Sequence, residues 1–444
     1  MRIVFLTAGA AGMYCGSCMH DNALAKALRR ADVDCLLQPL YTPLRTDEVS
    51  IASERVFFGG VNIYLLEKLP LFRRMPVAIK RMLDRPRFLR WATRGATSTD
   101  AASLGKLTLS MLRGENGNQR DEVTRLVGWL RDEMRPDAIV LTNLLIGGPI
   151  PAIRRELPDT KLIAILQGDD AFLDYLREPF RDEAIALMGD LGRACDRIIV
   201  NSRFYADKMI ALLRLDPARV EVLPLTIDTE PFQNEPLRAV VDDQLGDAAR
   251  PPRIGYFARI APEKGLHNLV AAFIDLASRP GCETVGLDIA GWLGAQHRGY
   301  LAVQLKRLSD AGVGDRVRHL GSPDLAGKLA MLRGIDLLSV PTEHEEPKGL
   351  TILEAMAMGV PVVLPAKGAF TEIVEASGGG VLVPPDRPEL LADSLQRLLI
   401  DHEERRRLGA VARDWVLRER AIDVQAAGMI DLLGRLAAPL PAVG

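Results

Sequence analysis

The chain has 444 residues and a formal net charge of -2 at pH 7, and 48% of its residues are hydrophobic. This length exceeds one ordinary core, so we expect a globular protein of two or three domains. The near-neutral charge excludes a general attraction to nucleic acid or to anionic membranes. Five cysteines are too few for a disulfide framework, and no signal peptide or membrane-spanning run is evident. We therefore expect a cytoplasmic protein with no nucleic-acid partner.

Short apolar runs alternate with longer amphipathic stretches along the chain. The runs are rich in leucine or β-branched residues and end at Gly, Pro, Asn or Ser, which is typical of buried parallel strands. Helical patterns lie between them, and this alternation predicts doubly wound α/β layers. We predict strands at residues 2–6, 138–141, 162–166, 197–200, 220–223, 253–257, 286–290, 317–320, 337–340 and 360–364, and helices that include residues 21–30, 122–134 and 328–333.

The first predicted strand runs into a glycine loop that contains Gly9, Gly12 and Gly16. Such loops are common in nucleotide-binding folds of every kind, so the spacing alone identifies no ligand. Cys15 and Cys18 form a Cys-x-x-Cys motif in the same loop. A redox or metal role is one interpretation, but a closed metal site needs about four ligands. We favour the alternative, in which small residues pack in a tight loop.

Residues 65–95 interrupt the alternation with nine arginines and lysines interleaved with apolar residues and Trp91. This pattern predicts one or two basic amphipathic helices inserted in the amino-terminal half. Three interpretations remain open: a solvated helical face, a peripheral membrane contact that leads to a lipid-linked partner, and recognition of an anionic partner.

Residues 228–252 are polar and acidic and end in Arg250-Pro251-Pro252, where regular structure is disfavoured. A new strand–loop–helix unit starts at residue 253. We therefore predict one domain at residues 1–228, a linker at 229–252 and a second domain from residue 253.

Two cations follow the first strand of the second domain. Arg259 and Lys264 lie in the loop between that strand and the next helix, where open α/β sheets bind ligands. Such positive charge suits a diphosphate leaving group. The alternative is an ordinary surface pair with Glu263.

The loop after residues 337–340 leads into a helix through Gly349. Glycine allows close approach of a ligand to the first amides, and the helix dipole favours a phosphate there. Glu354, one turn into the helix, points back toward this end, and Glu346 lies on the approach. The arrangement suits a sugar nucleotide, whose hydroxyls bind carboxylates. Alternatively, the glutamates belong to a solvated acidic loop and an outer helix face.

Taken together, these residues resemble the retaining glycosyltransferases of the family 4 group. The resemblance rests on Arg259, Lys264, the seven-residue spacing of Glu346 and Glu354, and residues 355–363. It is clear over residues 194–383 and looser elsewhere. It implies GT-B architecture, with two Rossmann-like doubly wound domains facing across a cleft. The acceptor side would be residues 1–228, the donor side residues 253–415, and residues 416–444 a helical tail packing back on the first domain.

The resemblance also implies roles for individual residues. Arg259 and Lys264 would bind the diphosphate of a nucleoside diphosphate sugar, Glu346 the sugar, and Glu354 the ribose hydroxyls. We take Arg259, Lys264 and Glu346 as the catalytic set. The backbone amides of the loop glycines and of the helix start would complete the donor site, at Gly12, Gly16, Gly349, Leu350 and Thr351.

In this family the acceptor hydroxyl attacks the face from which the diphosphate leaves, without a bound metal, so we expect no metal or other cofactor. Gln167 and Asp170 are the acceptor-side candidates, in a segment that resembles the family's His-Gly-x-Asp. Gln167 replaces the histidine, and Lys348 stands where an aromatic or small residue is usual. The acceptor is left open among a glycan, a lipid-linked molecule and a small molecule.

Two other functions fit the same residues. A sugar-nucleotide epimerase or hydrolase would need an acid–base pair acting on the donor, and the amino-terminal half shows none with clear spacing. A non-catalytic sugar-nucleotide-binding partner would not need all four charged residues of the donor set. We therefore predict a glycosyltransferase that retains the configuration of the transferred sugar.

Overall fold

The computed structural model describes residues 1–9, 16–44, 46, 50–53, 56–58, 101–235 and 250–437. The predicted basic insertion at residues 65–95 lies outside the described residues, as do Gly12 and Cys15. The chain divides into two compact units. Unit 1 comprises Met1–Pro224 with Gln425–Gly444, and unit 2 comprises Leu225–Val424.

Within the described residues, unit 1 contains a six-stranded parallel sheet in the order β2-β1-β3-β4-β5-β6. All four residues of its central strand, Ala-Ile-Val-Leu, are buried. This apolar composition is what a parallel sheet requires when helices cover both of its faces. The strands are β1 (Arg2–Thr7), β2 (Asp34–Pro39), β3 (Ala138–Leu141), β4 (Lys161–Leu166), β5 (Arg197–Val200) and β6 (Val220–Val222).

Unit 2 contains a second six-stranded parallel sheet, in the order β12-β11-β10-β7-β8-β9, among its described residues. Counted within the unit, this is the order 6-5-4-1-2-3 of a doubly wound dinucleotide-binding fold. The strands are β7 (Arg253–Phe257), β8 (Gly286–Ala290), β9 (Val317–His319), β10 (Leu337–Leu338), β11 (Val362–Pro365) and β12 (Gly380–Val383).

Helices connect the strands in both units, and side-chain caps define several of their starts. The Ser202 hydroxyl accepts from the Tyr205 amide at 3.2 Å, and Asp324 accepts from the Gly327 amide at 2.9 Å. The α-helices are Gly16–Arg30, Ala101–Leu112, Arg120–Trp129, Ile150–Glu156, Asp169–Leu173, Phe180–Arg193, Arg203–Leu213, Glu230–Gln233, Leu266–Leu276, Arg298–Asp310, Leu325–Gly334, Leu350–Ala357, Ala369–Ser377, Pro388–Ile400, His402–Glu419 and Ile422–Ala437.

All ten predicted strands form, with ends that shift by at most two residues. The two strands that the sequence did not reveal, β2 and β12, are both edge strands. The sequence of β2 carries an aspartate, a glutamine and a proline, and β12 is a four-residue run that starts with glycine. Edge strands need a less continuous apolar run, which weakens the pattern by which buried strands are predicted.

Each unit is built around its own hydrophobic core, formed by the buried faces of its sheet and helices. The last helix contributes polar contacts to unit 1. Gln425 lies 2.7 Å from the His20 ring nitrogen, and Arg435 forms an ion pair with Glu221.

Candidate functional site

The strand order of unit 2 reverses between β7 and β10, which are neighbours in the sheet. In open α/β sheets, ligands bind outside the carboxyl ends of the strands at such a reversal. The two loops that leave this point are residues 258–265, after β7, and residues 341–349, after β10. We call them the first donor loop and the second donor loop, after the donor side that the sequence predicts.

The two donor loops touch each other through backbone and side-chain contacts. Gly265 has φ +70°, and a Cβ added there would lie 1.7 Å from the carbonyl oxygen of Pro341, so only glycine fits. Thr342 donates its hydroxyl to the carbonyl of Glu263 at 2.8 Å, and the Glu343 amide donates to the same carbonyl at 3.0 Å. These contacts fix the geometry of the second donor loop relative to the first.

Lys264 and Glu346 form an ion pair that joins the two donor loops. Their side chains are 17% and 13% exposed, so the pair is mostly shielded from water but still open on one side. Burial by itself raises the pKa of the Glu346 carboxyl, but Lys264, Lys348 and His344 outweigh it and hold this pKa below its usual value. Glu346 is therefore an ionised hydrogen-bond acceptor at neutral pH.

Arg259 pairs with Glu263 at 2.6 Å within the first donor loop, and its side chain is 42% exposed. This is the surface pair that the sequence offered as an alternative to diphosphate binding. The contact occupies one terminal nitrogen of a guanidinium that has five N–H donors. Pairing with Glu263 thus leaves Arg259 donors to offer to an anion.

Gly349 ends the second donor loop, and the helix Leu350–Ala357 begins directly after it. Gly349 has φ +87°, and an added Cβ would lie 2.8 Å from Cδ1 of Ile373. The first amides of a helix have no acceptor within the helix, and glycine provides no side-chain cap. The amides of Leu350 and Thr351 therefore lie at an uncapped helix start, as the sequence predicts.

Glu354 is buried, and its Oε1 atom lies 2.6 Å from Nζ of Lys328 on the helix Leu325–Gly334. The two side chains are 8% and 6% exposed. The sequence analysis missed Lys328. A signal was present, because Lys328 is four residues from the buried Leu332 and thus lies on the buried face of its helix.

A further contact anchors the second donor loop to the helix after the first loop, and it was not predicted from the sequence. The imidazole of His267 lies 2.8 Å from Oε1 of Glu343 and 2.9 Å from the hydroxyl of Tyr300. Lys367 donates to the backbone carbonyl of Glu343 at 2.7 Å. These residues are far apart in the sequence, so no local pattern could have grouped them.

The strand order of unit 1 reverses between β1 and β3, and a buried polar cluster lies there. Asp21 accepts from the Thr7 hydroxyl at 3.1 Å and from the side-chain amide of Gln167 at 2.9 Å. The same amide lies 3.3 Å from the carbonyl of Thr142. The structure therefore brings Gln167, an acceptor-side candidate, to the reversal point of unit 1. Its partner there, Asp21, was not predicted from the sequence.

Asp170, the second acceptor-side candidate, accepts from the Tyr205 hydroxyl at 2.7 Å and lies 2.8 Å from Nζ of Lys208. Its neighbour Asp169 accepts from the amides of Leu144 and Gln167. Burial raises the pKa of Asp169 to about 6, against the lowering effect of these two hydrogen bonds. Asp169 thus fastens the loop after β4 to the loop after β3.

Gly16 is the first residue of the helix Gly16–Arg30. Gly12, its partner in the predicted glycine loop, lies outside the described residues, and so does Cys15. Cys18 is buried. Among the residues that the structure describes, no group of three or more His, Cys, Asp or Glu side chains is placed to hold a metal ion.

Two family models match the chain, one mainly in unit 1 and the other within unit 2. The model of glycosyltransferase family 4 matches residues 108–231, and that of glycosyl transferases group 1 matches residues 240–415. A D-inositol 3-phosphate glycosyltransferase of Mycobacteroides abscessus is 32% identical over 361 residues, which are 77% of each protein. The chain belongs to the family 4 glycosyltransferases. This glycosyltransferase is an enzyme of the hexosyltransferase type, as its sequence predicts.

Solved structures support the fold of this glycosyltransferase over its whole length. A sucrose-phosphate synthase from Thermosynechococcus elongatus superposes with a TM-score of 0.71 at 19% identity, covering 98% of this chain and 99% of the other. The Anabaena protein HepE in complex with UDP gives 0.69 at 18% identity, covering 98% and 100%. The prediction of GT-B architecture with two Rossmann-like units is confirmed. No helix in the described part of the chain is long and apolar enough to span a membrane.

Proposed function

We propose that this glycosyltransferase takes its sugar from a nucleoside diphosphate sugar bound at the carboxyl ends of β7 and β10. The ion pair between Lys264 and Glu346 carries this proposal. It sets a cation and an ionised carboxylate, one from each donor loop, beside the uncapped start of the helix Leu350–Ala357. Amides and a cation suit a diphosphate, and a carboxylate suits sugar hydroxyls.

In this proposal Lys264 and Arg259 neutralise the charge that develops on the diphosphate as the glycosidic bond breaks. Glu346 accepts hydrogen bonds from the sugar, while the amides of Leu350 and Thr351 contact a phosphate. Glu354 contacts the ribose hydroxyls. The two cations take the charge-neutralising role that a metal has in other transferases, so we expect transfer to continue in EDTA.

We place the acceptor at the polar cluster of unit 1, near Gln167 and Asp170. The side-chain amide of Gln167 is not a base near neutral pH, so it orients a hydroxyl rather than deprotonating it. Catalysis then rests on positioning and on stabilisation of the leaving diphosphate. The acceptor hydroxyl attacks the face from which the diphosphate leaves and passes its proton to the departing diphosphate oxygen, which retains the anomeric configuration. NMR of the product measures that configuration, and inversion would contradict the proposal.

The diphosphate assignment is tested by Arg259→Ala, with calorimetry of nucleoside diphosphate binding. We expect weaker binding, whereas unchanged affinity would remove the assignment. Arg418→Ala is the matched control, because Arg418 forms an exposed ion pair with Asp414, four residues away, in the same unit. A thermal-shift screen of nucleotide sugars selects the donor, since a ligand of the folded state raises the melting temperature.

The competing enzyme class is tested by incubating donor without acceptor. A transferase then leaves most of the donor intact. Formation of an isomeric sugar nucleotide would instead identify an epimerase, and absence of transfer to every acceptor offered would favour a binding partner.

We also propose that the basic residues 65–95 bring this glycosyltransferase to the inner face of a membrane, where a lipid-linked acceptor is available. Support comes from their charge and from the neighbouring Trp91. Vesicle co-sedimentation should rise with the content of anionic lipid. Sedimentation that ignores this content would dismiss the membrane contact.

A further inference from the structure

Lys328 and Glu354 form a buried ion pair one helical turn behind the start of the helix Leu350–Ala357. Nζ of Lys328 lies 2.6 Å from Oε1 of Glu354, and both side chains are less than a tenth exposed. The pair therefore lies inside unit 2, one turn from the helix start that ends the second donor loop.

The residues beside this pair in the sequence are buried and apolar. Met331 and Leu332 lie on the lysine helix, and Ile352 and Leu353 lie on the glutamate helix, all four buried. A buried ion pair in such surroundings stabilises a protein no better than apolar side chains of similar volume. Stability alone thus does not explain why charges occupy these two positions.

The geometry offers a different reason. A glutamate side chain has three rotatable bonds and its carboxylate has about four acceptor sites. The Lys328 ammonium contacts Oε1, which restricts the rotation of the carboxylate and compensates its charge in a poorly hydrated place. Without that ammonium, burial favours the neutral form, which presents a donor where the ionised form presents only acceptors.

We propose that Lys328 is a positioning residue for ribose recognition. Its ammonium holds the Glu354 carboxylate ionised and in one orientation, so that this carboxylate accepts hydrogen bonds from the hydroxyls of the donor ribose. The inference rests on the proposed nucleoside diphosphate site and adds a residue that the donor loops do not contain.

The test measures how strongly the full-length enzyme prefers ribose over deoxyribose. Calorimetry gives the dissociation constants of UDP, GDP and ADP and of their 2′-deoxy and 3′-deoxy forms. We expect wild type to prefer the ribose form of its nucleotide by about tenfold to a hundredfold, the effect of a hydrogen bond to a charged group. In Lys328→Met this preference should fall below about threefold, with little change in affinity for the deoxy forms.

Two further variants separate positioning from folding. Lys328→Gln keeps a hydrogen-bond donor for the carboxylate and should show an intermediate preference and a near-normal melting temperature. Arg318→Met removes one contact to the buried Asp288 in the same unit. This control should lower the melting temperature and leave the ribose preference intact.

The test distinguishes failure of the role of Lys328 from failure of the proposed donor site. Equal losses of affinity for ribose and deoxy forms in Lys328→Met would make the lysine merely structural and overturn the inference. Wild type that binds diphosphates without ribose preference would also overturn it, while leaving the diphosphate site standing. Wild type that binds none of the three diphosphates would contradict the proposed donor site as well.

Discussion

Unit 1 and unit 2 both carry polar clusters where their strand order reverses, at the carboxyl ends of β1 and β3 and of β7 and β10. The clusters differ in charge. In unit 1, Asp21 accepts hydrogen bonds from the Thr7 hydroxyl and from the Gln167 side-chain amide. In unit 2 the carboxylates of Glu346 and Glu354 are each paired with a lysine. Unit 1 also holds an ion pair, between Asp170 and Lys208. The contrast is therefore between individual carboxylates: Asp21 accepts from neutral donors, whereas Glu346 and Glu354 contact lysines.

The same contrast appears in the acidity of two carboxyl groups. Burial raises the pKa of Asp169 in unit 1, because the two amides that contact it carry no full charge. In unit 2 the cations around Glu346 outweigh burial and lower its pKa. Nearby cations, rather than the depth of burial, therefore decide the direction in which the pKa of each carboxyl moves.

The largest effect should come from Lys264→Met, which removes the cation that joins the donor loops. Under the proposed function, we expect transfer to fall by roughly a hundredfold to a thousandfold, as when one stabilising group of a transition state is lost. The assay is release of nucleoside diphosphate with donor and acceptor present. Lys306→Met, which breaks an exposed pair with Asp310, is the control and should retain full activity. Activity within twofold of wild type in Lys264→Met would show that the charged cluster of unit 2 does not act in transfer.

Gly349→Ala should destabilise unit 2 by about 2–4 kcal/mol, because the residue has a left-handed backbone and its new methyl group meets Ile373. Gly312→Ala isolates the backbone cost. Gly312 has φ +71° with open space around it, so we expect a loss of only about 1 kcal/mol there. Urea unfolding measures both. Equal losses in the two variants would show that the helix start is not tightly packed.

Asp21→Asn should act on unit 1 alone. We expect the KM for the acceptor to rise about tenfold, because the loss of one charged acceptor loosens Gln167. Affinity for nucleoside diphosphate should stay unchanged by calorimetry. Asp190→Asn, at an exposed position of the same unit, is the control and should change neither quantity. A matching loss of diphosphate affinity in Asp21→Asn would contradict the proposal that unit 1 binds the acceptor and unit 2 the donor.

The smallest effect is a pair of opposite pH dependences. The pKa of Asp169 is about 6 in the folded protein, above its ordinary value, so the charged carboxylate lowers the stability of the fold. Protonation between about pH 6 and pH 4 removes this loss of stability. The unfolding free energy of wild type minus that of Asp169→Asn should rise by about 1–2 kcal/mol from about pH 7.5 to pH 5.

Glu346 should show the opposite sign. Its pKa is lowered in the fold, so its contribution to stability is present above the ordinary glutamate range and is lost as the pH falls through its lowered value. The unfolding free energy of wild type minus that of Glu346→Gln should therefore shrink on acidification below about pH 5. Urea unfolding over a pH series checks both differences, and slopes of the same sign would contradict the contrast in acidity.

The contact partners of the candidate residues were only partly predictable. The pair of Arg259 with Glu263 could be proposed because four residues separate them. The partners of Glu346 and Glu354 are 82 and 26 residues away. Periodicity and local spacing carry no information about which distant loops meet, so Lys328 was missed although its place on a helix was predicted.

The sequence by itself determined the fold class, ten of the twelve described strands and the position of the donor helix start, because these depend on apolar periodicity and on the backbone freedom of Gly349. Tertiary structure alone decided which carboxylates are paired with cations. The pairing depends on lysines brought from distant parts of the chain, as Lys264 is to Glu346 and Lys328 to Glu354. The edge strands β2 and β12 are likewise identified only by their pairing with β1 and β11 in the folded sheets.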